Sequence, residues 1–188
     1  MGRWQPDASG RLAQAAMELY AEQGFEATTV ADIAERAGLT ERTFFRYFAD
    51  KREVLFGGSH LLQDTLIAGL RGTDPSAAPI EQVVTAVEAA DQFFTDPGYS
   101  RQRQAIIAGH PDLRERELIK LASLGAAFAD ALRSRGVKEP TASLTAEAGV
   151  AVFKVAFERW IDETNTRGFA DLVHDSFAEL KSVTTAAG

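Results

Sequence analysis

Six prolines, at positions 6, 75, 79, 97, 111 and 140, all fall between segments whose apolar residues recur with a helical period. A proline inside a helix removes a hydrogen bond and clashes with the preceding turn, so this placement marks element boundaries. No stretch alternates as a half-buried strand does, and no Asn-Gly or Asp-Gly hairpin signal occurs. The expectation is an all-α chain of nine helices, at about 9–24, 30–37, 41–47, 51–71, 80–95, 99–109, 112–135, 141–165 and 168–184. TDPSAAP at 73–79 reads as the clearest linker. Two domains are expected: a three-helix head at 1–56 and a helical bundle at 57–188.

Within the head, residues 28–55 carry a specific local pattern. Thr29 is a suitable helix N-cap, and Asp32 suits the first turn after it. Val30, Ile33, Ala34 and Ala37 then form one apolar face, and Gly38 can adopt the left-handed conformation that ends a helix, with Leu39 as the hydrophobic anchor beyond. Thr40 caps the next helix. At about 100° per residue, Phe44 and Phe48 share its inner face, with Glu41 and Tyr47 at the edges. Arg42 and Arg46 lie opposite, one turn apart, flanked by Thr43 and Phe45. Such a helix suits a DNA major groove: arginine can bond bidentately to guanine, and threonine can meet a thymine methyl or a phosphate. Lys51 and Arg52 open the following helix within reach of a DNA backbone. The expected DNA-contacting residues are Thr29, Thr40, Arg42, Thr43, Phe45, Arg46, Tyr47 and Lys51.

The net charge of −7 is distributed unevenly. Residues 1–56 hold 7 Lys/Arg against 9 Asp/Glu, and residues 57–188 hold 13 against 18. Residues 42–52, however, hold Arg42, Arg46, Lys51 and Arg52 against Asp50 alone, and Arg3 and Arg11 are candidates to extend that patch. An acidic body disfavours binding to arbitrary DNA and to anionic membranes. The chain has no cysteine, which removes disulfides and thiolate metal sites. MGRWQPDASG has no apolar run and does not read as a signal peptide, and no stretch approaches the roughly 20 apolar residues of a membrane span. A cytoplasmic location is expected.

The stretch from Arg11 to Leu55, with ELYAEQGFEATTVADIAERAG followed by LTERTFFRYFADKREVL, resembles the TetR family of bacterial transcription regulators. The family pattern falls on Gly38, Thr43-Phe44-Phe45, Tyr47-Phe48 and Lys51. One departure is Phe45, where relatives usually carry a tyrosine whose hydroxyl meets a phosphate; Arg46 is the candidate to replace that contact. The family often uses the place of Tyr47 for a phosphate contact, and the helical angle puts its ring at the buried edge with the hydroxyl outward. The resemblance implies a homodimer on palindromic operator DNA, with half-sites about one helical turn apart.

The second half offers no nucleophile motif and no Gly-rich phosphate loop. His60, His110 and His174 lack metal-ligand spacing and read as surface or capping residues; no catalytic group, metal or cofactor is expected. Phe93, Phe94, Phe128, Phe153, Phe157 and Trp160 are either plain core or the wall of an apolar pocket, with 153, 157 and 160 on one helical face. SRQRQAIIAGHPDLRERELIKLASLGAAFADALRSRG resembles, more loosely, the C-terminal part of a TetR subgroup thought to sense acyl-coenzyme-A-like ligands. That resemblance implies a small-molecule effector near Phe93, Phe94, Arg101, Arg103, Ile107, Leu121, Phe128, Phe153, Phe157 and Trp160. Arg101, Arg103, Arg114 and Arg116 either meet ligand phosphates or a carboxylate, or pair with Asp112, Glu115 and Glu117. Ala146, Gly149 and Ala156, with Phe169, Leu172, Val173, Phe177 and Leu180, are expected to serve self-association. The helix at 51–71 would be the lever between reader and sensor. The functional expectation is a ligand-released homodimeric repressor; the alternative is a helical lipid or acyl carrier without a DNA function.

Overall fold

A computed structural model describes residues 8–185. Among these residues there are nine α-helices and no strand: α1 (Ala8–Gln23), α2 (Val30–Arg36), α3 (Glu41–Tyr47), α4 (Ser59–Gly72), α5 (Pro79–Glu88), α6 (Pro97–Gly109), α7 (Pro111–Ser134), α8 (Thr141–Trp160) and α9 (Phe169–Thr185). Prolines stand where their missing N–H costs nothing: Pro79, Pro97 and Pro111 open α5, α6 and α7, and Pro140 caps α8. Arg3, a candidate for the basic patch, lies outside the described residues. None of the described helices is long and apolar enough to cross a membrane.

By its packing the chain forms two units. The first, the head, comprises residues up to Gly58 together with Arg103–Arg114; the second, the bundle, comprises Ser59–Gln102 and the residues from Glu115 onward. The division differs from a cut at residue 56, because Ile107 and Leu113 are fully buried among Leu12, Leu19, Phe25, Phe44 and Leu55 of the head core. α6 and α7 thus each contribute residues to both units.

The head is assembled by local chemistry. Thr29 Oγ1 accepts the Asp32 N–H at 3.1 Å while the Asp32 carboxylate accepts the Thr29 N–H at 2.9 Å, a reciprocal cap that starts α2. α2 ends in a Schellman turn: Leu39 N–H donates to Ala34 O at 2.8 Å and Gly38 N–H to Glu35 O at 2.9 Å. This turn needs the φ of +65° that Gly38 supplies, and a Cβ there would also come 3.1 Å from the Arg11 guanidinium. Arg11 in turn donates to the Ala37 carbonyl, so it serves the end of α2.

The expected helix at 51–71 is interrupted. The Asp50 carboxylate accepts the N–H groups of Arg52 at 2.8 Å and Glu53 at 3.0 Å and starts a short 3₁₀ turn, Glu53–Phe56. Val54, Leu55 and Phe56 are all buried, and three consecutive residues cannot share one face of an α-helix. Gly57 and Gly58, both poor helix formers, follow before α4 starts at Ser59. Similarly, α5 ends at Glu88 and continues as a 3₁₀ turn to Phe93, and α8 ends at Trp160, where Asn165 donates to the Trp160 carbonyl at 3.1 Å.

In the bundle, α5 packs against α4, α8 and α9. Val83, Val87, Phe128, Leu132, Ala146, Ala156 and Phe169 lie at its core. The small residues of α8 therefore have a different task from the one expected. A Cβ on Gly149 would stand 2.3 Å from Cγ1 of the buried Val83, so Gly149 permits the close approach of α5 within one chain. Ala146 and Ala156 are likewise buried in this core, as are Phe169, Leu172, Val173 and Phe177. Among the residues α8 leaves out of this core is an apolar set at helical spacing, Leu144, Ala151 and Val155 exposed and Ala148 half-buried, with the exposed Glu147 and Lys154 beside it.

Candidate nucleic-acid interface

α3 is a short helix held firmly at both ends and along one side. Thr40 Oγ1 accepts the Thr43 N–H at 3.2 Å and lies 3.0 Å from the Thr43 hydroxyl. Phe44 is fully buried and Phe48 nearly so, their ring centroids 5.5 Å apart. The opposite side carries Arg42, Phe45 and Arg46, all exposed. An isolated seven-residue helix is unstable in water, so these inner rings and the cap are what keep the outer side chains in register.

Tyr47 differs from its expected place. It is 41% exposed, and its ring lies under the Arg46 guanidinium, 4.8 Å from centroid to Cζ. Arg46 also donates to the Tyr47 hydroxyl at 2.8 Å. The reason lies in the end of the helix. Phe48 leaves helical geometry at φ −132° and takes the inner place after Phe44, so Tyr47 stays on the outer flank.

The basic patch is smaller than its sequence. The Lys51 ammonium donates to the carbonyls of Phe25 at 2.8 Å, Glu26 at 3.1 Å and Thr28 at 2.9 Å, which uses all three of its N–H groups. It sits over the Phe25 ring, and the Tyr20 hydroxyl donates to the Lys51 carbonyl at 2.6 Å. Lys51 therefore ties the α1–α2 turn to the end of the α3 segment instead of reaching outward. Arg52 Nε pairs with Asp112 at 3.0 Å. Of the four cations between 42 and 52, the two on α3 remain as the outward pair.

Exposed charges elsewhere in the head brace the helices. Arg36 on α2 makes a two-pronged bond to Glu22 on α1, at 2.9 and 2.7 Å. Its hydrogen bonds hold the Glu22 carboxyl below the usual range and raise Arg36 further. Asp32 is also held low, first by the Thr29 N–H and then by the Thr29 hydroxyl.

The second set of candidate residues is only partly brought together. Phe94 is the hub of a ring cluster in the bundle, with centroids 4.1 Å from Phe169, 5.5 Å from Trp160, 5.8 Å from Phe157 and 5.9 Å from Phe153. Phe93, Leu121 and Phe128 belong to the same bundle core. Arg101 Nε donates to the Ile161 carbonyl at 2.6 Å, next to Trp160 at the end of α8. Arg103 and Ile107 belong to the head instead. Arg103 Nε donates to the Leu55 carbonyl at 2.5 Å and its guanidinium covers the Phe56 ring, while Ile107 is core. Arg114 donates to the Ala108 carbonyl at 2.7 Å. The sequence reading missed Phe169 as a member of the ring cluster. Its place at the first turn of α9 depends on the Asp91 carboxylate, which accepts the Ala170 N–H at 3.1 Å across 79 residues of chain.

His110 does act as a cap, with Nδ1 2.8 Å from the Ile106 carbonyl in the last turn of α6. Among the described residues no three His, Cys, Asp or Glu side chains are grouped to hold a metal.

Comparison with known proteins identifies the family of the two parts of the chain. The profile of bacterial regulatory proteins of the tetR family matches residues 12–56, and that of the MftR C-terminal domain matches residues 77–185. MftR of Mycobacterium tuberculosis, a candidate transcriptional regulator of mycofactocin biosynthesis, is 30% identical over 118 residues, covering 61% of this chain and 58% of MftR. The HTH-type transcriptional regulator TcmR of Streptomyces glaucescens is 35% identical over 79 residues, or 42% of this chain and 35% of TcmR. The matches thus span less than two thirds of either relative. A crystal structure of FadR from Thermus thermophilus, a TetR-family repressor in complex with lauroyl-CoA, shares the fold at TM-score 0.51 and 23% identity, covering 93% of both chains.

Proposed function

The chain belongs to the TetR family of bacterial regulatory proteins, DNA-binding transcriptional regulators with a helix-turn-helix, and from that premise we propose a homodimeric repressor released from its operator by a partly apolar effector. The observation that carries the DNA reading is the outward pair Arg42 and Arg46 on a helix fixed by Thr40, Phe44 and Phe48. The arginines read base edges in the major groove. Thr29, Thr40 and Thr43, at helix N-termini, meet phosphates there. Lys51 is left out of this interface, since its ammonium is already used.

A single α3 spans only a few base pairs, so a second copy is needed for a specific site. The stripe Leu144, Ala148, Ala151 and Val155 on α8 supports self-association. Leu144, Ala151 and Val155 are exposed, Ala148 is half-buried, and none of the four belongs to the chain's own core.

The effector region is the ring cluster around Phe94, beside Arg101. An apolar tail among these rings, with an anionic head near Arg101, fits the resemblance to acyl-coenzyme-A-sensing relatives, and the lauroyl-CoA complex of a protein of the same fold supports the same class. The rings pack on one another, so an effector enters by parting them. Phe94, half-buried and just beyond the 3₁₀ turn, is the ring with fewest constraints from a helix. Arg101 belongs to the bundle and Arg103, two residues on, to the head, so α6 is anchored by backbone carbonyls in each. A shift of α6 on effector binding would then be felt in the head. By linkage, DNA lowers effector affinity by the same factor that effector lowers DNA affinity.

The test is titration of the full-length protein against a duplex it selects from a random pool, with and without lauroyl-CoA. Specific binding that weakens as lauroyl-CoA is added supports the reading. Specific binding untouched by acyl-CoAs of any chain length sinks the effector class while leaving the DNA reading intact.

A further inference from the structure

Phe45 is the large apolar side chain that α3 leaves outside, 55% exposed. It lacks the hydroxyl that could donate to a phosphate. Its ring is not loose: it stands edge-on against the fully buried Phe44, centroids 5.5 Å apart and planes at 84°. It follows Arg42 by three residues, so the two are neighbours on one side of the helix, about 60° apart around the axis.

We propose that Phe45 is a specificity-determining residue that reads the C5-methyl group of a pyrimidine, thymine in ordinary DNA, beside the base edge met by Arg42. This rests on the DNA reading above. Each thymine presents one apolar group in the major groove, its C5-methyl, and phenylalanine is a side chain that contacts it. The charge of Arg42 and Arg46 draws α3 to the duplex, and Phe45 then covers a methyl group with a surface already oriented by Phe44. A preset ring loses little rotamer freedom on contact, so more of the burial is retained as discrimination.

The experiment uses the full-length protein and the duplex it selects from a random pool. Each thymine of a half-site, with its symmetry mate, is replaced by deoxyuridine, which removes only the methyl group. Affinity is measured for the wild type and for Phe45→Ala. Burying one methyl-sized group is worth about fourfold in affinity, so the wild type should weaken about fifteenfold when the sensitive thymine is replaced in both half-sites. Phe45→Ala should bind the parent duplex more weakly and lose nothing further from that replacement. Its melting midpoint should fall only slightly, because more than half of the ring is exposed and the lost contact is one edge against Phe44.

If C5-methylation of a cytosine in the selected duplex tightens the wild type but not Phe45→Ala, the methyl contact stands with 5-methylcytosine as its source. Tight, specific wild-type binding that ignores every deoxyuridine overturns the proposal alone. So does an equal loss in wild type and Phe45→Ala. Failure of the wild type to select any duplex overturns the DNA reading and this proposal together.

Discussion

The head and the bundle use aromatic side chains in opposite ways. α3 buries Phe44 and Phe48 and leaves Phe45 and Tyr47 on the surface beside Arg42 and Arg46. The bundle turns Phe94, Phe153, Phe157, Trp160 and Phe169 onto one another. The head therefore presents a reading surface that is finished before DNA arrives. The bundle presents a packed ring cluster, which under the proposed reading opens to admit an effector. A regulator benefits from this division: a rigid reader gives specificity, and a sensor that binds only by rearranging converts ligand affinity into conformational change.

The sharpest way to break the comparison is to loosen the head from within. Phe44→Ala removes a fully buried ring and should destabilise the head by about 3–5 kcal/mol, read as loss of a melting transition. An unchanged melt would mean that α3 does not depend on its inner rings. Lys51→Met is next. It removes three hydrogen bonds from an ammonium and should cost about 2 kcal/mol of stability. The slope of log affinity against log salt should stay as in the wild type, whereas a phosphate-binding lysine would lower it by about one.

On the bundle side, Gly149→Ala forces a methyl group against Val83 and should destabilise by about 1–3 kcal/mol, measured by denaturant titration. If self-association falls while stability is untouched, Gly149 belongs to a dimer face after all. The smallest effect concerns pH. The Asp32 carboxyl, ordinarily near 3.8, is lowered in the folded head by its bonds to Thr29. A depressed folded pKa gives stability that is present above the unfolded value and is lost as pH falls through the folded one. The same sign holds in the bundle for Asp175, lowered chiefly by its bond to Arg167. Melting midpoints should therefore be flat from about pH 5 to 7 with respect to these groups and fall below about pH 4. Asp32→Asn should remove only the Asp32 part of the head's fall, because Glu22, lowered by its bond to Arg36, still titrates there.

Much of the head was legible because its signals are local. Thr29 with Asp32, Gly38 with Leu39, and Thr40 with Thr43 each act within a few residues, and Phe44 and Phe48 announce the inner face by spacing alone. What stayed hidden is non-local. Nothing near Ile107 or Leu113 says that they complete a core begun at Leu12. Nothing near Lys51 says that its ammonium finds carbonyls 23 to 26 residues back. The break at Gly57–Gly58 was visible in principle, since Val54-Leu55-Phe56 is too apolar for one helical stripe. For the small residues of α8, spacing identified a close helix approach but not the partner, which is α5 of the same chain.

The central proposal is that Arg42 and Arg46 make the main sequence-specific contacts, on a helix that the head core holds in place. Affinity of full-length wild type and of the double variant Arg42→Ala/Arg46→Ala for the selected duplex, in moderate salt, tests it most directly. Each well-formed arginine–base contact is worth about 1–3 kcal/mol, so with two arginines per half-site the double variant should lose about a thousandfold or more. Its melting curve should match the wild type, because both side chains are exposed. A double variant that still prefers the selected duplex over random DNA by the wild-type margin would contradict the account.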